Sequence, residues 1–119
     1  MRTLMLKLEP IIWGLFGAGM VVGGLLYPAF LLVATLAQPL GVLSADALSF
    51  ERAHALASHP IGRVVLAAAI AFPLWAGAHH VRHVAIDLGG IARDAWFGAL
   101  CYALALAGSV LAVVAVARL

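Results

Sequence analysis

An apolar stretch near the start of the chain constrains the fold more than any other feature. Residues 11–37 contain no charged side chain over 27 positions. As an α-helix this stretch is roughly 40 Å long at about 1.5 Å per residue, more than a hydrocarbon core of about 30 Å. It also exceeds the apolar core of a signal peptide, about 7–15 residues. We therefore interpret it as a retained, tilted transmembrane helix.

Two further segments are predicted to cross the membrane. Residues 95–117 form an uncharged span, with Trp96 and Tyr102 in its first two turns, where interfacial aromatic residues are common. Residues 60–83 reach membrane length only when Pro60, suited to a first helical turn, and the histidines at the far end are included. Backbone groups in lipid need internal hydrogen bonds, so all three spans are expected to be helices.

The composition supports one membrane domain over residues 1–119. Hydrophobic residues make up 66% of the chain and charged residues 10%, whereas soluble domains have about 45–50% and about 25%. The scattered basic residues form no patch for nucleic acid, which excludes that partner. The single cysteine, Cys101, forms no internal disulfide and is interpreted as a buried apolar residue.

The segment between the first two spans, residues 40–59, mixes charged and apolar side chains. This mixture predicts a short helix that lies on the membrane surface. Its polar residues include Asp46, Glu51, Arg52 and His54, which are spaced among Leu43, Leu48, Phe50 and Leu56.

Within the spans, Pro28 and Pro73 each remove a backbone donor and are expected to kink their helices. The glycines of Gly19-x-x-x-Gly23 allow close contact with another helix.

Three spans place the two ends of the chain on opposite sides of the membrane. One side carries Arg2, Lys7, Arg82 and Arg93, and the other carries Arg52, Arg63 and Arg118. Basic residues favour the cytoplasm. The side of the N-terminus has four of these basic residues and the other side three, and this small excess predicts a cytoplasmic N-terminus.

The start of the first span and the end of the second lie on the same side, and both carry polar or aromatic residues. One stripe of the first helix, at i, i+3, i+4 and i+7, consists of Trp13, Phe16, Gly17 and Met20. A stripe of the second consists of Trp75, His79, Arg82 and His83, with His80 beside it. The two stripes are expected to meet, and Gly17 leaves room for a flat ring.

These residue types suit a quinone, which is planar and has two oxygens that need hydrogen-bond donors. The Trp13 indole is a donor, histidine donates or accepts, and histidine titrates near neutral pH, as quinol oxidation requires. Plainer roles remain open: Trp13 as an interfacial anchor, the histidines as a solvated helix end, and Arg82 and Arg93 as topology charges.

Haem is not expected within this chain. Two histidine ligands would have to lie at similar depth on different helices, and the first and third spans contain no histidine. His54 and His59 lie at the opposite side from the other three. A ligand shared with a partner protein remains possible.

Several motifs follow one another over residues 9–91. The first is Glu9-Pro10-x-x-Trp13-Gly14-Leu15-Phe16-Gly17-Ala18-Gly19. Pro39-Leu40-Gly41, Asp46-Ala47-Leu48-Ser49-x-Glu51-Arg52 and Ile61-Gly62-Arg63 follow. The last are Pro73-Leu74-Trp75-x-Gly77-x-His79 and Asp87-Leu88. In order and spacing these motifs resemble the family of the fumarate reductase D subunit, whereas the third span resembles it only in length and hydrophobicity.

The resemblance implies a non-catalytic membrane anchor of a four-subunit quinol:fumarate reductase in the bacterial inner membrane. Its partners would be a sister membrane anchor (the fumarate reductase C subunit), an iron–sulfur subunit and a flavoprotein subunit. The iron–sulfur clusters and FAD would belong to the last two. The anchor would help form the menaquinol site and carry no haem, with a cytoplasmic N-terminus.

The resemblance also implies site residues. These are Trp13, Phe16, Gly17 and His83; the polar stripe of the second helix and its neighbour add His79, His80 and Arg82 as further candidates. The family commonly reads His-Arg-x-His-His where this chain has His79-His80-Val81-Arg82-His83. The arginine is therefore about 200° further around the helix.

Two alternatives remain at this point. One is the anchor of a succinate dehydrogenase, although such anchors usually have a haem-ligating histidine deeper in a helix. The other is a scaffold or transport protein without redox chemistry, although a transporter would more often have an ionisable residue near mid-bilayer. In every case the small residues on the helix faces predict that the chain needs partners for stability.

Overall fold

The computed structural model describes residues 2–44, 46–89 and 94–119, with side chains from residue 6 onward. Arg93, one of the predicted topology charges, lies outside the described residues. Every regular element in the described part is helical. Three helical segments are long and apolar enough to cross a membrane: Leu6–Ala37, Pro60–Gly89 and Asp94–Ala117. The prediction of a multi-pass protein with three spans is thus confirmed.

The first span is one continuous helix with two wide turns. Helix α1 covers Arg2–Val21, a π-helical turn covers Val22–Leu26, helix α2 covers Tyr27–Leu32, and a second π-helical turn covers Val33–Ala37. In the first wide turn the N–H of Tyr27 donates to the carbonyl of Val22, five residues earlier. A proline ring clashes with the carbonyl four residues before it. Here Pro28 follows a wide turn, the form in which this helix adapts to its proline.

The connection after the first span contains a short helix, as predicted. Gly41 has a φ of 71°, a left-handed conformation that glycine adopts without strain. Helix α3 covers Phe50–Ser58, and the Ser49 hydroxyl caps it by accepting a hydrogen bond from the Arg52 N–H at 3.3 Å. The position of α3 on the membrane surface stays a prediction.

An exposed ion pair joins α3 to the segment before it. The Arg52 guanidinium lies 2.7 Å from the Asp46 carboxylate, and both side chains are about three-fifths exposed, 59% and 61%. A hydrogen bond from Ser44, one from the backbone and the Arg52 charge lower the pKa of Asp46 below its ordinary value.

Helix α4, the second span, begins at Pro60 and ends at Gly89. His59 has an extended backbone, as the residue before a proline prefers. Its side chain caps the helix, since Nδ1 lies 3.3 Å from the N–H of Ile61. The helix continues through Pro73 without a break and runs past residue 83, where the sequence placed its end. The histidines therefore lie inside α4, not at its last turn.

Helix α5, Asp94–Ala117, is the third span, and α4 lies between it and α1. Glycines allow close approach at both contacts. A Cβ on Gly19 would clash with the Phe72 carbonyl and lie 2.8 Å from the Ala76 Cβ. On the other side, a Cβ on Gly108 would lie 2.8 Å from a methyl group of Leu74. The expected role of Gly19 in helix contact is thus borne out.

The chain buries few of its side chains. Its Cα atoms extend over 55 × 30 × 19 Å. The buried apolar residues of the described part are Ile12, Ala76, Cys101, Tyr102, Ala105, Ala112 and Val116. Cys101 is buried, as predicted. Most large apolar side chains point outward, which suits a surface covered by lipid or by other membrane proteins.

Candidate functional site

Aromatic rings from α1 and α4 meet at one end of the bundle. The ring centroids of Trp13 and Phe16 are 5.6 Å apart in an edge-to-face arrangement. The His79 ring lies 5.0 Å from Trp13 and 4.5 Å from Phe16. His83 lies 4.4 Å from His79, and His80 lies 5.3 Å from Phe16. We call these five residues the aromatic cluster; the two predicted stripes meet through His79, with His80 beside it.

His79 occupies the centre of the aromatic cluster. It is 4% exposed and is the one buried polar residue in the described part of the chain. Its Nδ1 lies 3.0 Å from the Tyr102 hydroxyl of α5. His79 thus contacts both neighbouring helices, whereas His83 lies at the exposed edge. The resemblance implied His83, with His79 as a further candidate, and both lie in the aromatic cluster.

One side of the aromatic cluster is open. Trp13 is 53% exposed, and a Cβ built on Gly17 would meet nothing within 4 Å. His80 is exposed on the same end, with Nε2 3.4 Å from the Met20 sulfur. Space beside an exposed indole, next to a buried imidazole, can accept a flat aromatic molecule.

Arg82 lies on the α5 side of α4. Its guanidinium donates two hydrogen bonds to the Asp94 carboxylate, at 2.6 and 2.7 Å, and a third to the Tyr102 hydroxyl at 3.2 Å. The side chains of the pair are only 21% and 22% exposed. Arg82 is therefore not a free charge at the membrane surface, and it reaches the aromatic cluster through Tyr102.

Trp75 does not join the aromatic cluster, although it shares a sequence stripe with His79. Its indole N–H donates to the Ser109 hydroxyl at 3.1 Å, and its ring stacks on Tyr102 at 6.1 Å. Ser109 in turn donates to the Ala105 carbonyl at 2.7 Å. These contacts join α4 to α5.

Asp94 and Tyr102 form hydrogen bonds with Arg82, and Tyr102 also with His79. Neither was predicted from the sequence as a site residue. Tyr102 is 7% exposed and points at α4, whereas Trp96 is 66% exposed. Helical spacing carried a signal for both. One face of α5, at intervals of three and four, holds Asp94, Gly98, Cys101, Tyr102, Ala105 and Ser109.

The comparisons with known proteins agree with this architecture. The family of the fumarate reductase D subunit matches residues 5–117, so the match includes the third span. The chain is 38% identical over 110 residues to the fumarate reductase D subunit of Photobacterium profundum, covering 89% of this chain and 88% of that protein. It is 40% identical over 110 residues to that of Vibrio campbellii, covering 89% and 84%.

A third relative extends the match to nearly the full length. The chain is 34% identical over 115 residues to the fumarate reductase D subunit of a Shewanella species, covering 93% of this chain and 91% of that protein. The resemblance noted in residues 9–91 therefore continues through α5. This chain belongs to the family of the fumarate reductase D subunit, a membrane component of fumarate reductase.

Proposed function

We propose that this chain is a hydrophobic anchor of a four-subunit quinol:fumarate reductase, and that its aromatic cluster forms part of the menaquinol oxidation site. The fumarate reductase C subunit is its membrane partner. Together they hold the iron–sulfur and flavoprotein subunits at the cytoplasmic face of the bacterial inner membrane. The chain itself is non-catalytic, because fumarate is reduced in the flavoprotein, and FAD and the iron–sulfur clusters lie in those two partners.

The observation that carries this proposal is the meeting of Trp13, Phe16 and His79 beside the open position at Gly17. A quinone head group is flat and apolar, so it packs against an indole or phenyl ring. Its oxygens take hydrogen bonds from an indole or imidazole N–H. Within the described residues, His79 uses only Nδ1 for a hydrogen bond, which leaves Nε2 for a ligand.

The place of the aromatic cluster in the bundle supports the arrangement of the complex. Trp13 and Phe16 lie early in the first span, and His79 and His83 lie in the C-terminal half of α4. They share one end of the bundle with the N-terminus and with the start of α5. A cytoplasmic N-terminus therefore puts the quinol site at the face where the iron–sulfur protein docks, so electrons travel a short distance to its clusters.

The outer surface supports a membrane partner. Large apolar side chains of all three spans are exposed, among them Leu25, Phe30, Leu104 and Leu111. Close helix packing in lipid depends on van der Waals contact and small residues. The sister anchor would cover one of these faces, and we expect the isolated chain to unfold in detergent more readily than the complex.

Replacing Trp13 with alanine tests the proposed site. We expect menaquinol-analogue:fumarate activity to fall about tenfold, a loss of about 1.4 kcal/mol, because the head group loses its packing surface and an N–H donor. Fumarate reduction by a soluble viologen, which bypasses the quinol site, should not change. Both activities are measured in membranes that contain the intact complex.

The matched control is Trp96→Ala, which removes another exposed indole at the same end of the bundle, outside the aromatic cluster. It should leave both activities close to wild type. Equal loss of the two activities in Trp13→Ala would mean failed assembly and a structural role for Trp13. No loss in either would leave Trp13 as an interfacial anchor and move the quinol site to other proteins of the complex.

A further inference from the structure

Four side chains form a continuous hydrogen-bonded series from α5 through α4 to the aromatic cluster. Asp94 binds Arg82 through two hydrogen bonds, Arg82 binds the Tyr102 hydroxyl, and Tyr102 binds His79 at Nδ1. The Arg82 guanidinium also lies over the Tyr102 ring, 5.8 Å from its centroid. We call this series the Asp94–His79 relay.

The direction of each hydrogen bond in the relay follows from the chemistry of the groups. A guanidinium only donates, so the Tyr102 oxygen accepts from Arg82. The hydroxyl has one hydrogen, and among the described residues the acceptor within reach is Nδ1 of His79. If Nδ1 carried the proton instead, the buried hydroxyl hydrogen would have no acceptor, at a cost of about 1–3 kcal/mol.

This direction sets the tautomer of His79. Since Nδ1 accepts a hydrogen bond, the proton of the neutral ring lies on Nε2. That N–H makes no hydrogen bond to the described residues, although the residue is 4% exposed. The N–H is therefore available to donate to a ligand oxygen at the aromatic cluster.

We propose that Tyr102, held in place by Arg82 and Asp94, is a positioning residue that fixes His79 as an Nε2–H donor toward a quinone oxygen. The proposal rests on the proposed function. It assigns to α5 a part in the quinol site, which the sequence confined to the first two helices. The same polarity disfavours metal ligation at Nε2, because a ligating histidine normally donates from its other nitrogen.

The first test is Tyr102→Phe, which keeps the ring and removes the hydroxyl. Without the hydroxyl neither tautomer of His79 is favoured, so the proton lies on Nε2 in a smaller fraction of the molecules. We expect kcat/KM for a menaquinol analogue to fall about fivefold, or about 1 kcal/mol, with viologen activity unchanged. The matched control is Tyr27→Phe, which removes a hydroxyl that donates to the Ala69 carbonyl away from the aromatic cluster.

The decisive test is a double-mutant cycle with His79→Gln. The glutamine amide places an N–H donor near the position of Nε2, and this donor needs no tautomer set by Tyr102. Tyr102→Phe should therefore lower kcat/KM in the wild-type background and have no further effect beside His79→Gln. The dissociation constant of a radiolabelled naphthoquinone, which needs no turnover, is measured on the same four complexes and should follow the same pattern.

An equal effect of Tyr102→Phe in both backgrounds, or no effect in the wild-type background, would overturn the positioning role. Either result leaves the proposed function standing if Trp13→Ala still separates quinol from viologen activity. If the wild-type complex bound no naphthoquinone, the proposed function itself would fail.

Discussion

Replacing Asp94 with asparagine is expected to destabilise the assembled complex by about 3 kcal/mol, since removing one partner of a buried ion pair costs about 3–5 kcal/mol. The pair is only about one-fifth exposed, and Asp94 is bound to Arg82 through both carboxylate oxygens. Without it, the Arg82 charge stays in a poorly solvated place between α4 and α5. The measurement is the midpoint of unfolding of the purified complex in mixed detergent micelles.

The chain offers a matched control for this substitution in its second ion pair. Asp46→Asn removes the same charge from a pair whose side chains are 59% and 61% exposed, and exposed pairs contribute little to stability. Arg82→Met combined with Asp94→Asn should be less destabilising than Asp94→Asn alone, because no unpaired charge remains. Equal unfolding midpoints for Asp94→Asn and Asp46→Asn would show that the Arg82 pair is well solvated.

Gly19→Ala should also destabilise the complex, by about 2 kcal/mol, within the range typical of overpacked positions. The added methyl group would overlap the Phe72 carbonyl, a backbone group that has no other rotamer to adopt. Helices α1 and α4 must therefore separate, which loosens the contact between Trp13 and His79. Quinol activity should fall along with the unfolding midpoint.

Gly24→Ala is the control for this effect, in the same span with nothing within 4 Å of the added methyl group. Alanine is better than glycine in a helix by about 0.8–1.0 kcal/mol, so this variant should be neutral or slightly more stable. The two substitutions are chemically identical, yet only Gly19→Ala should destabilise the complex. If Gly19→Ala were as stable as Gly24→Ala, the close approach of α1 and α4 would be wrong.

Much of the fold could be predicted because the length of a segment and its lack of charged residues decide whether it can span a membrane. The spans around Trp13, Trp75 and Trp96 follow from uncharged runs of membrane length, and helices satisfy their backbone groups. The meeting of Trp13 with His79 could also be predicted, since spacing at three and four residues fixes which side chains share a face.

The remainder depends on helix rotation, which the sequence did not determine. Helix α4 is apolar around most of its circumference, so no polar face showed which side Trp75 and Arg82 take. They turn to α5, where Asp94 and Tyr102 supply partners. Pro28 indicated that the first helix would be distorted there, but not that the distortion would be a π-helical turn before the proline.

The central position of α4 has a consequence for how perturbations travel through the chain. Helices α1 and α5 make little contact with each other in the described part, so each has a separate packing contact with α4. Changes in the free energy of unfolding caused by substitutions at separate helix contacts add when the contacts share no side chain. Substitutions at Gly19 and Gly108 should therefore combine additively. The imidazole of His79 touches both Trp13 of α1 and Tyr102 of α5. Substitutions that disturb His79 should therefore affect both helix contacts and combine non-additively.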